Sequence, residues 1–229
     1  MALITSVLLL VGCANTSNNS SYQPSTPAVS ENVAVEKPVV AEIAVLPKET
    51  FSSGLGAWYE ETWYKKQNSG GEVVTGSNGL TFKGVQSNSR SGVMLDLNQD
   101  VNEFKKLNLE VVVQADIQTL EGTGFQGREA PIAVAMSYQD VDGTEHNLLG
   151  EDPNASGQMF WRGFYYLDPA DKSGSINGVK VPQAKPYTFK FDLMRLNPKP
   201  TKIYFVSLEG AGWKEREGKI ISISIVGEK

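Results

Sequence analysis

Cysteine and histidine are almost missing from this chain: 229 residues contain one of each, Cys13 and His146. No disulfide can close within the chain, and no cysteine cluster can hold a metal. A Ser-His-Asp or Cys-His nucleophile would have to recruit one of these two residues, and no Gly-x-Ser-x-Gly elbow is present. His146 reads more simply as an exposed strand residue. Nucleotide-phosphate loops and dinucleotide fingerprints are absent too, so no organic cofactor is expected. Basic residues are scarce: 21 Lys and Arg stand against 26 Asp and Glu, a formal charge of -5. Nucleic-acid binding, which needs a basic surface to displace phosphate counterions, is therefore not expected. No apolar run reaches the roughly 20 residues of a membrane-spanning helix.

What is present begins with an apolar run from Ala2 to Gly12 that ends Leu10-Val11-Gly12-Cys13. Its length suits a signal segment. The ending resembles the bacterial lipobox, in which small residues precede a cysteine that receives diacylglycerol. That resemblance implies a signal peptide over 1–12, lipidation of Cys13 and a membrane partner reached through the lipid. No Lys or Arg lies between Met1 and Gly12, a departure from the usual positive start. Ala14, not Asp, follows the acceptor; by resemblance to lipoprotein sorting, a Gram-negative host would place the protein at the outer membrane.

Residues 13–49 read as a tether. Tyr22 is the one aromatic residue between Ala14 and Pro47, while Pro24, Pro27, Pro38 and Pro47 interrupt any helix. Small polar residues bury too little area to offset their ordering entropy. Such a chain holds a domain on the order of 30 Å from its anchor. The alternative for Val39–Leu46 is an edge strand.

From residue 50 to 229 the texture is that of an all-β domain. Leu109, Val111, Val113, Ala115 and Ile117 alternate with Glu110, Gln114, Asp116 and Gln118, the mark of a strand with one buried face. Ile132, Val134, Met136 and Tyr138 repeat the pattern, and Asp142-Gly143 signals a hairpin into Thr144–Leu149. Further strands are expected at Leu80–Gly84, Gly92–Leu97, Met159–Leu167, Tyr187–Asp192, Lys202–Glu209 and Lys219–Gly227, the last burying Ile221, Ile223 and Ile225. Val101–Lys106 suits a single helical turn. The expected fold is an antiparallel β-sandwich.

The order of these pieces resembles the galactose-binding-like jelly rolls that many carbohydrate-binding modules share. They run from the aromatic opening at Phe51 and Trp58, through the long strand after Phe104 and the Gly127–Pro131 turn, to the aromatic strand Met159–Leu167 and the closing strand. The resemblance implies a binding module and is compatible with a structural calcium ion. Asp140, Asp142, Gly143 and Glu145 are oxygen-rich but lack a full calcium-loop spacing, and turn formation explains them.

The aromatic strand supplies the candidate site. Met159, Trp161, Tyr165 and Leu167 share an uncharged face, assigned to the core. Phe160, Arg162, Phe164 and Tyr166 share the other, which either meets a ligand or is covered, with Arg162 paired to Glu129 or Glu209. Rings beside a guanidinium suit sugar binding, with Gln114, Asp116 and Gln118 adding polar groups if their strand lies in the same sheet, and Trp213 as a second exposed ring. Three functions follow in order: a lipid-anchored, non-catalytic envelope protein that recognises glycan; a structural or assembly lipoprotein that binds another envelope protein; and a glycan-active enzyme using two carboxylates.

Overall fold

The computed structural model describes residues 41–60, 71–84, 89–124, 127–148, 157–169, 177–212 and 215–229, all within one compact unit, Val39–Lys229. Cys13 and Trp213 lie outside the described residues. Among those described, thirteen strands follow one another: β1 (Glu42–Glu49), β2 (Tyr59–Glu60), β3 (Gly71–Gly76), β4 (Gly79–Gly84), β5 (Ser89–Asp100), β6 (Lys106–Gln118), β7 (Ala130–Asp140), β8 (Glu145–His146), β9 (Phe160–Tyr165), β10 (Gly178–Lys180), β11 (Tyr187–Asp192), β12 (Pro200–Gly212) and β13 (Arg216–Glu228).

They form the two sheets of a jelly-roll sandwich. A six-stranded sheet runs β11-β6-β13-β4-β3, with β1 also paired to β13; a seven-stranded sheet runs β10-β9-β7-β12-β5-β2, with β8 on β7. Pairing is antiparallel except where β10 lies beside β9. Between the sheets Leu109, Val111 and Val113 of β6 meet Ile132, Val134 and Met136 of β7, with Val206, Leu208, Ile220, Ile223 and Ile225 in the same cluster. Full burial of each such side chain contributes about 1.5–3 kcal/mol relative to exposure.

Two bulges correct the expected faces. Glu217 pairs with Ile117 but its neighbour Gly218 pairs with Ala115, so Asp116 is an extra residue on β6. One extra residue reverses the alternation: Gln118 turns in and is buried, while Ile117 is only half-buried. Likewise Ile220 pairs with Val113 and Ser222 with Val112, leaving Ile221 unpaired on β13. The core of β13 is therefore Ile220, Ile223 and Ile225, and Ile221 is half-buried.

Two other expectations change. Glu42–Glu49, assigned by composition to the tether, is a strand with Leu46 buried in the core. Val101–Phe104 is a hydrogen-bonded turn rather than a helical one, with the Phe104 amide donating to the Val101 carbonyl at 3.2 Å. The described helical turn is instead 3-10, Leu193–Arg195, capped by Asp192, whose Oδ1 accepts from the Met194 amide at 3.1 Å. The expected Asp-Gly turn forms: Asp140 Oδ1 accepts from the amides of Asp142 and Thr144 at 2.9 and 3.0 Å, and Gly143 supplies a φ of +80°.

Candidate functional site

The aromatic strand β9 faces the opposite way to expectation. Phe160 and Phe164 pair across from Met136 and Ile132 and lie in the core between the sheets. Phe164 is fully buried, edge-on to Phe189 at 5.5 Å, and cannot meet a ligand. Arg162 shares this inward side. Its guanidinium lies 4.8 Å from the Phe160 ring centre and 5.6 Å from that of Phe191 on the opposite sheet. Nη1 donates to the Trp161 carbonyl at 2.7 Å and to Asn177 Oδ1 at 3.1 Å. Burial lowers its pKa from the ordinary arginine value. Planar guanidinium groups stack on ring faces, so Arg162 sits between the sheets without marking an open surface.

The remaining expected ligand residues are also engaged or elsewhere. The Tyr166 hydroxyl accepts from the Gln118 amide at 2.8 Å, and the Tyr166 amide donates to Gln118 Oε1 at 2.8 Å. Gln114 and Asp116 belong to the six-stranded sheet, not the sheet of β9. Gln114 Nε2 donates to Asp116 Oδ1 at 2.6 Å, and Asp116 Oδ2 lies 3.2 Å from Lys219 Nζ. These groups neutralise one another on an ion-paired outer face that also carries Lys190–Glu110 and Lys83–Glu217. Glu129 and Glu209 were the expected partners of Arg162, but Glu209 takes the Trp161 indole instead.

That contact belongs to a different face. On β12, Val206 and Leu208 point into the core, so Phe205, Ser207 and Glu209 project from the outside of the seven-stranded sheet. By the same alternation Ala133, Ala135 and Ser137 of β7 and Trp161 of β9 lie beside them. Trp161 packs on Ala130, Ala133 and Ala135 as a second apolar cluster. Gly163 makes room for it: a Cβ there would stand 2.3 Å from Trp161 Cη2. The indole Nε1 donates to Glu209 Oε1 at 2.6 Å, both side chains being buried. A hydrogen bond to a charged acceptor is worth about 1.5–3 kcal/mol, so ring and carboxylate fix each other.

Next to this pair, the hydroxyls of Ser137 and Ser207 are buried and have no hydrogen-bond partner. Toward the β2 edge, Tyr59 is 43% exposed and its hydroxyl donates to Asp96 Oδ1 at 3.1 Å. Phe205 lies between, half-buried, across from Asp96. The accessible part of this face is Tyr59, Asp96 and the half-buried Phe205, whereas Trp161, Glu209, Ala133, Ala135, Ser137 and Ser207 are buried. Reasoning from sequence missed it because Trp161 was assigned inward. The usable signal was the neighbouring Ala133-x-Ala135-x-Ser137, small residues that make room for the Trp161 ring.

His146, expected to be exposed, is 2% exposed. Its Nε2 lies 2.7 Å from Asp140 Oδ2 and its Nδ1 3.1 Å from the Gln158 carbonyl. Both imidazole nitrogens are thus occupied, and the ring locks the β7–β8 hairpin. Among the described residues no group of three or more His, Cys, Asp or Glu is placed to hold a metal ion.

No protein-family profile and no curated protein matches this sequence. Among solved structures, it is similar to the family 11 carbohydrate-binding module from Clostridium thermocellum, at 13% identity and a TM-score of 0.43 over 82% of this chain and 96% of that one. The xylan-binding module CBM15 aligns at 12% identity and a TM-score of 0.39, over 82% and 97% of the two chains. Endo-D from Streptococcus pneumoniae R6, in a structure of its glycoside hydrolase domain, aligns at 16% identity and a TM-score of 0.36, over 73% of this chain and 21% of that one.

Proposed function

We propose that this protein is a lipid-anchored, non-catalytic module of the bacterial envelope that binds carbohydrate on the outside of its seven-stranded sheet. The observation that carries the reading is the accessible group toward the β2 edge of that face, exposed Tyr59 bonded to exposed Asp96 with half-buried Phe205 across from it, beside the buried Trp161–Glu209 pair. A sugar presents hydroxyls that both donate and accept, together with an apolar ring face. The exposed Asp96 carboxylate is placed for the first, and Tyr59 and Phe205 for the second. Glu209 and Asp96 already bond to Trp161 and Tyr59, which favours binding over acid–base chemistry. The anchor rests on Leu10-Val11-Gly12-Cys13, and with it an envelope location, at the outer membrane in a Gram-negative host.

Affinity electrophoresis against a panel of soluble bacterial and plant polysaccharides tests the binding. At least one polysaccharide should retard the protein, and Tyr59→Ala combined with Asp96→Ala should weaken that retardation about tenfold, a loss of about 1.4 kcal/mol. Retardation by none of the panel rejects carbohydrate binding; retardation indifferent to both substitutions moves the site off this face. For the anchor, cells fed a palmitate analogue should label the wild-type chain and not Cys13→Ala.

A further inference from the structure

A strand at the edge of a sheet carries backbone groups with no ladder partner, which can pair with another chain unless the sequence guards them. Most edges of this protein carry a guard. Strand β2 has two residues and β10 three. Strand β1 contains Pro47 and Lys48, and its register shifts twice along β13. On β11 the exposed Lys190 pairs with Glu110. Strand β3, the last of the six-stranded sheet, is different. Gly71-Glu72-Val73-Val74-Thr75-Gly76 has no Lys, Arg or Pro and pairs with β4 without a register shift. Its Val74 is 46% exposed.

The β3–β4 hairpin fixes which backbone groups face outward. Gly76 pairs with Gly79 across the turn Ser77-Asn78, and so tight a turn closes on a hydrogen-bonded pair. Counting back from it, Val74 and Glu72 also bond to β4, while Thr75 and Val73 aim their amides and carbonyls away from it. Among the described residues no other backbone bonds to Val73 or Thr75. Their side chains are half-buried, Val73 against the core, and Glu72 and Val74 are exposed on the opposite face of the strand.

This edge is complementary to itself. An antiparallel copy with its two-fold axis at Val74 sets Val73 opposite Thr75 of the copy, and Thr75 opposite Val73. Both are hydrogen-bonded pairs, and together they use every outward amide and carbonyl of these residues. Val74 then meets Val74 of the copy at about 4.5–5.5 Å between Cβ atoms, which covers apolar surface. Each Glu72 faces a glycine, Gly76 of the copy. An axis at Glu72 would oppose two carboxylates, and one at Val73 would set each Val74 against a carboxylate.

We propose that β3 is a self-association edge, where two copies of this chain pair antiparallel about Val74 and join their six-stranded sheets into one. The occupant is a second copy because the edge matches itself in hydrogen bonding and in charge. Strand β3 belongs to the other sheet from Tyr59, Asp96 and Phe205, so the inference stands apart from the carbohydrate reading.

Sedimentation equilibrium of the full chain in density-matched detergent tests it. The chain should fit a monomer–dimer equilibrium in the micromolar to millimolar range, as a small interface implies. Val74→Lys opposes two ammonium groups at an exposed position and should weaken dimerisation by about tenfold or more, with unchanged circular dichroism. In a Cys13→Ala background, which removes the native thiol, mild oxidation should convert Val74→Cys into a reducible covalent dimer. Glu72→Cys should crosslink far more slowly, because its thiols would stand about 14 Å apart along the joined strands. A monomer at every concentration, a dimer equally tight with Val74→Lys, or equal crosslinking of the two cysteines each overturns the proposal.

Discussion

Asp140 and His146 are held 2.7 Å apart, carboxylate oxygen to imidazole Nε2, in a contact where both side chains are buried. The imidazole stacks on Tyr138 with ring centres 4.5 Å apart and planes 6° from parallel. A two-residue strand with one ladder neighbour has little stability of its own, so this cluster is what keeps β8 on β7.

The Asp140 carboxyl titrates below its ordinary range, chiefly through the hydrogen bond from His146 and then those from the Thr144 and Asp142 amides. A depressed folded pKa means that its stabilisation is present above the unfolded value near ~4 and is lost as pH falls through the folded one. Acid unfolding should therefore be steeper for the wild type than for Asp140→Asn, with the two curves converging at low pH. Urea melts across the acid range measure this; parallel curves would contradict it.

At the alkaline end, burial and the Asp140 charge push the Tyr138 hydroxyl up to about 12. The unfolded phenol ionises near ~10, so the stabilisation is complete below that pH and declines as pH rises toward 12. Burial and Glu145 also raise the pKa of Tyr204, so ultraviolet titration of tyrosinate should reveal a late-ionising fraction that Tyr138→Phe reduces.

The Trp161–Glu209 contact predicts a graded pair of variants. Glu209→Gln retains an acceptor and should lose about 1 kcal/mol, whereas Glu209→Ala leaves the indole N–H unpaired and should lose about 2–3 kcal/mol. Denaturant unfolding followed by tryptophan fluorescence gives both values. Equal losses would mean that a neutral acceptor of the same size does nothing for the indole N–H and that the carboxylate charge alone carries the contact.

Gly163→Ala places a methyl against the same ring. With 2.3 Å to Cη2 and 2.9 Å to Ala130 Cβ, the indole has to move, and overpacking of this kind costs about 1–3 kcal/mol. Near-ultraviolet circular dichroism should change with the Tm. A variant that matches the wild type in both would show that the ring is not seated on this glycine.

Much of the architecture was legible because two-residue periodicity reports a half-buried strand directly: β6, β7 and β12 lie where the alternation of Leu109–Ala115, Ile132–Tyr138 and Lys202–Glu209 placed them. Bulges were not legible. Asp116 and Ile221 carry no local mark of being extra residues, yet each reverses every side chain beyond it, which is why Gln118 and Ile220 are inside. Gln118 then bonds inward, with Nε2 donating to the Leu120 and Gly122 carbonyls at 2.5 and 2.8 Å. The face of β9 was misassigned for another reason. Both its sides are apolar, so one arginine decided the choice, and a guanidinium stacked on two rings looks the same in sequence as one in water.

The pairing of β1 with β13 has a mechanical consequence. Strand β1 hangs beside β13, outside the path β11-β6-β13-β4-β3, and the polypeptide enters the body through it. Tension applied upstream of Glu42 reaches the body through the β1 ladder and the seat of Leu46. Under sustained pull β1 can peel away while the other strands keep their neighbours, giving the domain extra reach before it unravels.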